Sequence, residues 1–149
     1  MVRENIYAAA FALFSGDPAW VTKNRLWKHW DEVPPDQQPA IFQTQVKEVS
    51  TTKDRTGIPL IWHFHINLHL YVNVGQQGDQ GMAPSQVLNP LVDKILGLIQ
   101  PGPGPTGEQT LGGLVTKCRV EGDIITDEGL FGPQGIVMIP VVILIPGNA

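Results

Sequence analysis

Cysteine is nearly absent from this chain. Cys118 is the single one in 149 residues, which excludes an intrachain disulfide framework and suits a reducing compartment such as a cytoplasm. An excess of positive charge is missing as well. Ten Lys and Arg stand against fourteen Asp and Glu, for a net charge of -4, so the electrostatic basis for tight nucleic-acid binding is lacking. Nor is there a long apolar run. The longest, IVMIPVVILIP at 136–146, is well short of the roughly 20 residues that a spanning helix needs, and Pro140 interrupts it. The opening MVRENIYAAAFALFSG is broken by Arg3, Glu4 and Asn5 and fits a short amphipathic helix better than a secretory signal. G-x-S-x-G, Walker, G-x-G-x-x-G and H-E-x-x-H patterns do not occur, so no familiar catalytic or phosphate-cradling motif points to an enzyme, and no cofactor is expected.

Glycine and proline are plentiful, at 16 and 13 residues. They gather in GDP, VPPDQQP, GQQGDQGMAP, QPGPGPTG and FGPQG, which read as turns between short elements of a single domain over 1–149. With 42% hydrophobic residues and a mean hydropathy of -0.01, the chain has the makings of one soluble core. Arg3 to Ser15 carries Ile6, Ala9, Ala10, Leu13 and Phe14 on one helical stripe, stopped by Gly16. Ala40 to Glu48 and Ile58 to Val74 alternate as strands around a polar hairpin, VSTTKDRTG. Leu88, Leu91, Val92, Ile95, Leu96 and Ile99 mark a second helix, with Asn89 and Pro90 as a good cap and first residue, although Ser85 could start it earlier at the cost of a kink. Leu114 to Thr126 alternates strictly, and Ile136 to Ile145 is an almost wholly apolar strand. The expected fold is α+β: a mainly antiparallel sheet of about four strands, two helices on one face, in the order α-β-β-α-β-β.

That last strand is apolar on both sides. Two layers cover only one of them, so Ile136, Met138, Val142 and Leu144 are candidates for contact with another subunit. Pro140 lacks an N–H, which predicts an edge or a bulge at that point.

The stretch IWHFHINLHLYV raises the main question of chemistry. His63, His65 and His69 share one strand face. His63 and His65 are roughly 6–7 Å apart at Cα by strand geometry, close enough for one metal ion, while His69 is roughly 13 Å further along. A third ligand would have to come from Glu121, Asp123 or His29, and the carboxylate and later histidine that follow His-x-His in cupin sites are missing. The simpler reading is a structural or interface role: a polar sheet face in which His63, His65 and His69 meet Lys117, Arg119, Glu121 and Asp123 across strands. Carboxylates there would raise the imidazoles' proton affinity. Cys118 falls on the apolar side of its strand, where a buried thiol is expected rather than a nucleophile. Trp27 and Trp30 with Lys23, Arg25 and Lys28 read as a packing anchor before a base-stacking platform. Lys53, Asp54 and Arg55 read as a solvated hairpin tip able to touch another subunit.

Taken together, RENIYAAAFALF, LWKHWDEVPPDQQPAIFQ, LNPLVDKIL, QTLGGLVTKCRVEGDIITDEG and the apolar last strand resemble the tail terminator (minor tail) proteins of long-tailed phages and prophages, the group related to lambdoid tail protein U. The similarity spans essentially the whole chain, and its most specific pieces are HWDEVPPDQQPA and TLGGLVTKCRVEGDI. It implies an α+β subunit of a ring, usually a hexamer, that caps the head-proximal end of the tail tube, ends its polymerisation and offers a surface for head joining. The implied partners are further copies of the chain, the major tail tube protein and the head-completion (stopper) protein, with DNA only as passing cargo and no membrane. The implied place is the neck of the virion tail, after assembly in the bacterial cytoplasm. No catalytic residues carry over. One departure stands out: the polar face mixes His, Lys and Arg with Glu and Asp, where a DNA conduit would be uniformly acidic. A tail-tube or head–tail connector subunit, and a small metal module on His63 and His65, are the competing readings.

Overall fold

A computed structural model describes residues 2–51, 61–75, 82–100 and 107–146. Along the chain run helix α1 (Arg3–Phe14), strand β1 (Thr22–Asn24), two short 3-10 turns (Trp30–Glu32 and Pro35–Gln37), β2 (Ala40–Thr51), β3 (Ile61–Asn73), helix α2 (Pro84–Ile99), β4 (Lys117–Val120), β5 (Ile125–Phe131) and β6 (Gln134–Pro146).

The sheet differs from the four-stranded antiparallel expectation. Among the described residues it has six strands, in the order β1-β2-β3-β6, with β4 and β5 both hydrogen-bonded to the far side of β6. It is mixed, because β1 runs parallel to the start of β2, pairing Thr22 to Ala40 and Asn24 to Phe42. Three polar residues, TKN, carry no alternation by which such a strand could be foreseen.

The expected strand over 114–126 is in fact two. β4 pairs with 141–144 of β6 and β5 with 134–138, so the two lie end to end along one edge. The break falls at Gly122, whose φ of +112 suits glycine and where an added Cβ would sit 3.4 Å from Pro140 Cγ. Pro140 therefore lies neither at an edge nor in a bulge, since β6 is an interior strand with β3 on its other side. Its carbonyl accepts from Glu121 N at 3.2 Å. In a strand a residue's N–H and C=O point to the same side, so the missing donor faces the gap between β4 and β5, where a ladder bond is least needed.

The second helix starts at Pro84 rather than at Asn89. Proline is well placed in a first turn, where its absent N–H has no intrahelical partner anyway, and Gln86 Oε1 accepts from Ala83 N at 2.7 Å. Pro90 is carried inside the helix on its exposed side. Leu88, Leu91, Ile95 and Ile99 of α2 and Ile6, Tyr7, Ala10 and Phe14 of α1 join one buried cluster. Phe64, Ile66, Leu68, Leu70 and Val72 of β3 and Val137, Ile139, Val141, Ile143 and Ile145 of β6 complete it. Each such side chain stabilises the fold by about 1.5–3 kcal/mol on leaving water. Gly135 lets α2 come close: a Cβ there would meet Pro84 Cβ at 2.6 Å and Leu88 Cδ1 at 2.9 Å. Helix α1 is fastened by Glu48, which accepts from Tyr7 Oη at 2.7 Å and Arg3 Nε at 2.8 Å. Burial pulls the Glu48 carboxyl upward, but those two hydrogen bonds and the guanidinium charge outweigh it and hold the group low.

Candidate functional site

Alternation puts the odd residues of β3 and the even residues of β6 on the face away from this core. Across the ladder His63 lies beside Leu144, His65 beside Val142, Asn67 beside Pro140, His69 beside Met138 and Tyr71 beside Ile136. The histidines' direct neighbours are thus β6 residues, and the charged strand stands one place further out: Lys117 beside Leu144 and Arg119 beside Val142. Glu121 follows β4 and binds Arg119 at 2.8 Å. Asp123 sits exposed in the break between β4 and β5. Lys117 pairs with Glu108 at 3.5 Å. Lys53, Asp54 and Arg55 lie outside the described residues.

The face has two halves. One is closed by the tryptophan-rich segment between β1 and β2, which crosses it as an arm. Val33, Ala40, Phe42 and Tyr71 form a second buried cluster there, with Trp30 and Ile136 packed against it. Tyr71 Oη donates to Lys28 O at 2.7 Å, and burial pushes its phenol up to about 12. A reciprocal amide pair seals the end: Gln38 Nε2 donates to Gln134 Oε1 at 3.1 Å and Gln134 Nε2 to Gln38 Oε1 at 3.0 Å. Trp27, 44% exposed, stands edge-on to His69 with ring centroids 6.1 Å apart.

The other half is open. His63, His65, Asn67, Met138, Pro140 and Leu144 are each only half-buried, while Val142 is fully buried between His65 and Arg119 on the neighbouring strands. At His65 the expected rise from a carboxylate is outweighed. Burial lowers His65, Lys47 lowers it further, and Glu121 only partly opposes them. Burial alone lowers His69, whose Nε2 is 3.0 Å from Thr44 Oγ1. Both rings are held toward the neutral form.

His63 and His65 share this face, yet no group of three His, Cys, Asp or Glu able to hold a metal ion occurs among the described residues. His29 lies on the arm, paired with Asp31 at 2.6 Å. Cys118 belongs to the helix-side core, where burial pushes its thiol up to about 12, so the nucleophilic thiolate is suppressed. A cleft of about 310 Å³ opens between the helices, walled by Leu13, Phe14, Trp20, Leu91, Ile95 and Leu98. The Asp17–Lys94 pair beside it, at 3.2 Å, is satisfied within itself. What the second face offers is therefore shape, apolar area and exchangeable polar contacts, rather than an activated group.

The amide pair and the anchoring of Tyr71 went unforeseen. Tyr71 was the available signal, being an aromatic residue where the other odd positions of β3 from His63 onward are His and Asn. No family model and no curated protein sequence matches the chain.

Proposed function

We propose that this chain is a structural assembly subunit of a long-tailed phage: a tail terminator that forms a ring, a hexamer in the simplest case, on the head-proximal end of the tail tube. The ring stops tube growth and offers its other side to the head-completion protein, with DNA passing through as cargo. The reading rests on the resemblance of the whole chain and on one observation of geometry. The open half of the second face holds three half-buried apolar residues of the interior strand β6, Met138, Pro140 and Leu144, with fully buried Val142 between the last two and His63 and His65 at the border. Such a surface, apolar at its centre and polar at its rim, has the make-up of a protein–protein interface.

The test is assembly. Light scattering and negative-stain imaging of the purified protein should show rings. Added to polymerising tube protein, it should cap tubes and shorten them. A stable monomer that joins neither itself nor tube ends would sink the reading, and stacking into long tubes would make it a tube subunit instead.

A further inference from the structure

The two edges of the sheet are open, and they are not alike. Beyond Phe42 the outer side of β2 has no strand against it among the described residues. A bulge between Gln45 and Lys47 leaves Lys47–Thr51 as its straight stretch. Val46 and Val49 are exposed there at 52% and 36%; the charge on the second face is Lys47, while Glu48 on the helix face is paired with Arg3 at 2.8 Å. At the opposite edge, β5 offers Ile125–Glu128 before its own irregularity. Ile125 is 55% exposed, and the charges in the stretch are Asp127 and Glu128, the latter accepting from Ser85 N at 2.9 Å. Asp127 also carries an oxygen, Oδ1, that is shielded from water and has no hydrogen-bond partner, an arrangement a carboxylate rarely keeps.

Exposed edges with free N–H and C=O groups invite another strand. Pairing like with like across a two-fold axis sets Lys47 opposite Thr51 and Asp127 opposite Thr126, which leaves both charges, and the orphaned Asp127 oxygen, without a partner. Pairing unlike edges sets cation against anion. Strand direction agrees: β2, β3, β6 and β5 alternate, so β5 of one copy meets β2 of an identically oriented copy antiparallel. By register, Lys47 beside His65 and Asp127 beside Ile136 both belong to the second face, so they would fall on the same side of a continuous sheet.

We propose that copies of this chain join head to tail, with Ile125–Asp127 of β5 pairing antiparallel to Lys47–Val49 of β2 on the next copy, so that Lys47 lies opposite Asp127. This rests on the ring reading for self-association and supplies its contacts. Head-to-tail contacts close into a ring when the rotation allows.

Two charge-reversed chains test it: Lys47→Glu and Asp127→Lys. Each alone carries edges of one sign, so its self-association should weaken about a hundredfold or more. Mixed in equal amounts, each variant's reversed edge meets an edge of opposite sign on the other. Light scattering should then show assembly restored, in particles with equal numbers of both chains; this rescue also shows that both are folded. Assembly of either variant alone at wild-type strength, or a mixture that stays monomeric, overturns the edge assignment. A wild-type ring with indifferent variants leaves the ring reading standing, whereas a wild type that never associates removes both.

Discussion

The two faces of β3 are built from the same thirteen residues and behave differently. Even positions Phe64, Ile66, Leu68 and Leu70 are sealed, none exposed by more than 1%, because two helices lie on them. Odd positions meet a single arm that reaches only from Trp27 to Gln38, so Tyr71 is buried while His63, His65 and Asn67 stay half-open. The lesson is about the origin of order. On the helix face it comes from continuous apolar packing, and on the other from a few aromatic and amide contacts at one end.

The comparison breaks most sharply with Leu68→Ala set against Met138→Ala. The first empties a site with 0% exposure and should cost about 2–5 kcal/mol; the second, half-open, should cost well under half as much. Urea unfolding midpoints decide, and equal losses would mean that the faces are energetically alike. Next comes Tyr71→Phe, which deletes the hydrogen bond to Lys28 O while keeping the ring. A loss of about 1 kcal/mol is expected, together with faster proteolysis inside 25–38. An unchanged cleavage rate would show that the arm is held by apolar contact alone.

The smallest effect is pH dependence. His65 and His69 have folded pKa values below the ordinary 6.5, so the unfolded chain binds their protons more readily. Stability is then fully present above about pH 6.5 and declines as pH falls through the window beneath it. Comparing unfolding midpoints at pH 7.5 and 5.5 for wild type and His69→Gln measures this. The substitution should flatten part of the slope, and an unaltered slope would assign it to other groups.

Alternation told which way each residue of β3 and β6 faces, because a period of two is written directly in IWHFHINLHLYV and in the doubly apolar run after it. It did not tell which strands are neighbours. A row of histidines looks the same whether β4 or β6 lies beside it, so Lys117 and Arg119 were placed one strand too close. Nor does alternation show where a strand stops, and the break at Gly122 depends on a backbone angle and on Pro140 far along the chain. Three-residue β1 and the Gln38–Gln134 pair, 96 residues apart, are tertiary facts with no local pattern.

Pro140 matters before the sheet exists. Long β-prone apolar runs with no charge are the segments by which unfolded chains stick to one another, and a proline within such a run interrupts the stacking of copies. Four apolar residues, Ile136–Ile139, would otherwise join Val141–Ile145 without a pause. The ring that leaves one ladder position without a donor in the finished sheet thus acts as a gatekeeper in the nascent chain, halving the stretch that β6 can offer to a stranger.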